Sequence, residues 1–102
     1  MQSPSVIPSA ADSPPGTLAC ARLAAAIDAG SFMTPGVVEE IVAAAATADA
    51  PLADAADRLG VAYRTAVAAK DEPEEPDRIA AVGAVASDMS GVCAESGLRT
   101  VG

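Results

Sequence analysis

The sequence predicts an all-α protein: an up-down-up-down four-helix bundle stapled by a disulfide, with a disordered N-terminal leader. Three observations lead there. Apolar residues recur at spacings of three and four in four separate stretches, each bounded by residues that start or stop helices. The links between these stretches are short, and short links make consecutive helices neighbours. The two cysteines, Cys20 and Cys93, fall at the two ends of the helical region.

The chain opens on "MQSPSVIPSAADSPPG", Met1–Gly16, whose Pro and Ser content reads as a disordered leader. It has no basic start and no long apolar run, so it is not itself a signal peptide. Such a leader suits the start of a mature exported chain, with Met1 as an added start. Thr17 then supplies a hydroxyl for an N-cap. Cys20, Leu23, Ala24 and Ile27 share a face, and Gly30 is placed to end the helix in a left-handed conformation. The first helix is expected over about Leu18–Ala29.

In "SFMTPG", Thr34 followed by Pro35 gives a cap and then a first-turn proline. Glu39 and Glu40 suit the positive end of a helix dipole. Val37, Val38, Ile41, Val42 and Ala45 form the expected buried stripe, and the second helix runs over about Pro35–Thr47. Pro51 opens the third, about Pro51–Lys70, along a seam of Leu52, Ala56, Leu59, Tyr63, Val67 and Lys70. "DEPEEPD" is a loop, because its prolines and like charges oppose a helix. Pro76 opens the fourth helix, with Ile79, Val82, Ala86, Met89 and Cys93 in line. Gly97 followed by Leu98 is a Schellman-type stop. The bundle thus spans residues 17–98, and Arg99–Gly102 form a flexible tail.

The 102 residues make one domain at most. Apolar residues are 51% of the chain, but alanine dominates, with one Phe, one Tyr and no Trp. A core of small side chains buries modest area, at about 25 cal/mol per Å², so a covalent staple is valuable. In an alternating bundle the start of the first helix and the end of the fourth share a pole. That geometry predicts a Cys20–Cys93 disulfide and an oxidising compartment. The alternative is two buried free thiols, since cysteine packs as a small hydrophobe.

Composition also excludes chemistry. Histidine is absent, which removes the usual general base near neutral pH and the commonest zinc ligand. No run approaches the roughly 20 apolar residues of a membrane span. A net charge of −8 repels phosphate backbones and anionic surfaces. No cofactor, metal or catalytic residue is expected. The acidic run Asp71, Glu72, Glu74, Glu75 and Asp77 lacks the spacing and turn glycine of a calcium loop and reads as a solvated connection.

"DAADRLGVAYRTAV", Asp54–Val67, resembles a bacterial helix-turn-helix at Ala56, Gly60, Val61 and Thr65, and departs from it at Ala66. The resemblance implies a cytosolic DNA-binding or regulatory domain. Three features oppose it, one being that a protein with the expected disulfide would seldom work in the cytosol. The apolar spacing runs through Gly60 without a phase change, and Asp71, Glu72, Glu74 and Glu75 follow directly on Arg64 and Lys70, where DNA would need cations.

Across its length, through the leader, "LACARL", "AADRLGVAYRTAV" and "VCAESGL", the chain resembles small, alanine-rich, two-cysteine exported proteins of actinobacteria, mycobacteria included. That resemblance implies a secreted or cell-envelope location, and no functional residues beyond Cys20 and Cys93. Three residues are candidates for partner contact. Phe32 and Met33 lie in the first link, where they either plug the bundle end or stand exposed as an anchor. Tyr63 lies on the third seam with its hydroxyl toward the rim. The leading expectation is a non-enzymatic helical module that binds a protein or small apolar ligand. A homodimer completing a small core is the third.

Overall fold

The structure is a computed structural model and describes residues 16–97. The expected leader up to residue 15, Leu98 and the tail lie outside the described residues. Among the described residues the chain is all helical, with no strand. Its four helices are α1 (Thr17–Ala29), α2 (Val37–Ala44), α3 (Ala50–Ala68) and α4 (Glu75–Glu95). Packing is cyclic: α1 touches α2, α2 touches α3, α3 touches α4, and α4 returns to α1.

α1 starts one residue earlier than expected. Thr17 is its first residue, and the cap is Gly16 at φ 99°. Its end is a Schellman motif. Gly30, at φ 63°, donates its N–H to Ile27 O at 3.2 Å, and Ser31 donates to Ala26 O at 3.1 Å. The buried face is Ala19, Cys20, Leu23 and Ala26, so Ile27, expected inside, is 44% exposed.

α2 is shorter than Pro35–Thr47. Thr34 accepts a bond from the Val37 N–H at 3.2 Å, which makes residues 34–37 a turn and puts Pro35 before the helix. Gly36 is the cap, and its N–H donates to Glu39 Oε1 at 3.1 Å, one half of a capping box. At the other end Ala45 and Ala48 donate to carbonyls three residues back, tightening the chain out of α geometry. Val38, Ile41 and Ala45 are buried, while Val37 and Val42 are half-buried.

α3 is one helix with no corner at Gly60. Its buried line is Leu52, Ala55, Ala56, Leu59, Gly60, Tyr63 and Ala66. Thr65, which matches a helix-turn-helix recognition position, instead donates its hydroxyl to Val61 O at 2.8 Å within the same helix. The seam leaves the expected track near its end: Val67 is 47% exposed and Lys70 is exposed. At about 100° per residue Val67 lies roughly 80° around from Leu59, whereas Ala66 lies only about 20° away.

Gly60 sits where α3 approaches α2. A methyl added there would meet Val42 Cγ2 at 3.4 Å and Arg64 Nη1 at 3.3 Å. The first is ordinary contact, and the second is the far end of an exposed, flexible side chain. Gly60→Ala is therefore expected to stabilise the fold by about 0.5–1 kcal/mol, the helix-propensity gain, in urea denaturation. A turn glycine at this position would give the opposite sign.

α4 begins at Glu75 with Pro76 in its first turn, and Val82, Ala86, Met89 and Cys93 are buried as a continuous line. Ile79, expected in that line, is 38% exposed. The α3–α4 loop is braced by Asp71, at φ 67°, whose N–H donates to Glu75 Oε1 at 3.2 Å. Cys20 and Cys93 form the predicted disulfide, with Cα atoms 6.0 Å apart, and both are buried in the core. An exposed ion pair, Arg22 to Glu40 at 3.0 Å, links α1 and α2 and adds little in open solvent.

Candidate functional site

The disulfide closes one pole of the helical array, where the start of α1 meets the end of α4. At the other pole the end of α1 meets the start of α4, and here the surface is open. The tight stop at Gly30 turns the chain so that Phe32 and Met33 fall across the helix ends. The Thr34 N–H donates to Ser31 O at 3.0 Å, which holds both side chains in one turn. Both are half-buried and pack on the core cluster. They cover the end of the core on one side and leave the other side at the surface.

Two clefts meet at this pole. The first, of about 180 Å³, lies between Phe32, Met33, Ile79 and Val82. Gly30 and Gly83 also border it and contribute no side chain, which keeps it open. The second, of about 320 Å³, lies between Met33, Pro35, Tyr63, Val67 and Ile79, with Lys70 and Glu75 at its margin. Met33 and Ile79 line both and form the ridge between them. The structure thus brings Phe32, Met33 and Tyr63 to one surface, with Tyr63 buried as its floor.

Ile79 and Val67 belong to this surface and were missed in the sequence, where both were placed in buried seams. A signal existed. Each lies in the turn next to the α3–α4 loop, beyond the last full layer of the core, where a helix face runs out of neighbours. Cys20 and Cys93 lie at the opposite pole and contribute no group to the clefts.

Chemically, the pole offers apolar side chains with a cation and a carboxylate beside them. Among the described residues no group of three or more Cys, Asp or Glu is placed to hold a metal ion. Nor, among them, is any helix long and apolar enough to cross a membrane. Further clefts, of about 290 and 210 Å³, lie between α1 and α2 and between α2 and α3. Each has one cation with one or more carboxylates on its walls: Arg22 with Glu40, and Arg64 with Glu39. No protein-family model, curated protein or solved structure matches this chain.

Proposed function

We propose that this chain is a non-enzymatic exported helical module that docks a protein or small apolar ligand at the cell envelope, using the pole opposite its disulfide. The observation that carries the reading is the apolar ridge of Met33 and Ile79 between two open clefts. A small domain seldom leaves a chain of apolar side chains grouped at one end without a use for them. The helices alternate up and down, so the covalent staple ties the first helix to the last at one end only. The free end keeps the local latitude that docking needs, while the fold is held elsewhere. The disulfide supports a secreted or envelope location, because such bonds persist in oxidising compartments.

The test is an environment-sensitive apolar dye titrated into the native protein. The dye is expected to bind the wild type and to lose most of its fluorescence gain in the double variant Val67→Ser, Ile79→Ser. Both side chains are substantially exposed, so circular dichroism is expected to stay unchanged. Equal dye binding by the two proteins would overturn the assignment of this pole.

A further inference from the structure

We infer that the occupant of this pole is a cationic amphipathic helix of a partner protein, an inference that rests on the docking surface proposed above. Three features select that chemistry. The apolar surface is two shallow depressions flanking a ridge, not one enclosed cavity. That shape takes two anchor side chains from successive turns of a helix better than it encloses a small molecule.

The margin carries an excess of negative charge. From Lys70 to Arg78 the chain carries five carboxylates, Asp71, Glu72, Glu74, Glu75 and Asp77, and only the two terminal cations. All but Glu75 are exposed, and Glu75 itself lines the second cleft. Finally, the net charge of −8 attracts a basic partner at long range and opposes a second copy of this chain. In the complex, apolar side chains of the partner helix fill the clefts on either side of Met33 and Ile79. Its Lys and Arg residues lie along the α3–α4 connection and the first turn of α4, from Asp71 to Asp77.

The test uses three labelled eighteen-residue model helices with one apolar leucine face. Their polar face is lysine, glutamine or glutamate. Fluorescence anisotropy and NMR titration read affinity and place. The lysine peptide is expected to bind about tenfold tighter than the glutamine peptide, as two or three screened charge pairs give. The glutamate peptide is expected not to bind. Shifts are expected at Met33, Tyr63 and Ile79. In the variant Glu72→Gln, Glu74→Gln the lysine peptide loses that advantage while glutamine-peptide binding is unchanged. In Val67→Ser, Ile79→Ser both lose affinity.

Equal binding of the lysine and glutamine peptides, with shifts at Met33 and Ile79, overturns the cationic partner and leaves the docking surface standing. Lysine-peptide binding that Val67→Ser, Ile79→Ser does not weaken overturns both, as does binding by none of the three. A dimer in sedimentation that the serine variant dissolves replaces the partner helix by a second copy and overturns the inference.

Discussion

Replacing both cysteines, Cys20→Ala with Cys93→Ala, is expected to lower stability by about 4 kcal/mol. The sulfurs join residues 73 positions apart, so the bond closes most of the helical region into one loop. In the unfolded chain that closure removes conformational freedom that folding must otherwise overcome, and the chain-entropy relation gives about 4 kcal/mol for a loop of this length. For a domain of this size the loss corresponds to a fall in Tm of roughly 20 °C. The core does little to offset it. Of its buried side chains only Leu23, Ile41, Leu52, Leu59, Met89, Val38 and Val82 are both large and almost fully enclosed, and the rest is mostly alanine. Urea denaturation of the double variant, and of the wild type with and without reductant, checks this. A loss below about 1 kcal/mol would mean that the staple does not carry the fold.

The second large effect is expected at the centre of α3. Leu59 is 0% exposed and belongs to the core cluster. Leu59→Ala removes three carbons and leaves a cavity that the surrounding core fills only in part. The expected cost is about 3 kcal/mol by equilibrium denaturation. Val61, two residues on and beyond Gly60, is 54% exposed, and Val61→Ala is expected to stay within about 0.5 kcal/mol. The contrast depends on α3 continuing straight through Gly60. A corner there would rotate the following residues and change which of Val61, Tyr63 and Ala66 lies inside.

Much of this architecture is legible in the sequence where large apolar side chains repeat at helical spacing. Val82, Ala86, Met89 and Cys93 were readable as one buried line, and they are one. The first and last helices bring Cys20 and Cys93 together as their positions implied. What was not legible is the phase of the alanine-rich faces. In α1, Ala19 and Ala26 are buried and Ile27 is not. Hydrophobicity favours the isoleucine, but helices approach one another most closely over small side chains, and here the packing follows the alanines. In α3 the buried line shifts from Val67 to Ala66 because a helix turns every 3.6 residues and the spacings of four accumulate error.

Turn chemistry caused the remaining differences. Thr34-Pro35 has the residues of a cap and a first turn, yet Gly36 at φ 92° takes the cap and α2 begins after it. The consequence reaches beyond the helix end. It lengthens the α1–α2 link, so that Phe32, Met33 and Pro35 all reach the open pole. The candidate surface was legible only in part for the same reason. Phe32, Met33 and Tyr63 stood out as rare bulky or aromatic residues. Val67 and Ile79 looked like core, and only the ends of the helices reveal that no layer covers them.

The proposed role depends on first and last helices that stay covalently tied where the chain works. The most direct measurement is thiol trapping on protein taken from its producing cells, followed by non-reducing peptide mapping. No trapped thiol and a single linked peptide pair containing Cys20 and Cys93 are expected. Both cysteines recovered as trapped thiols would contradict the staple and the proposed exported role together.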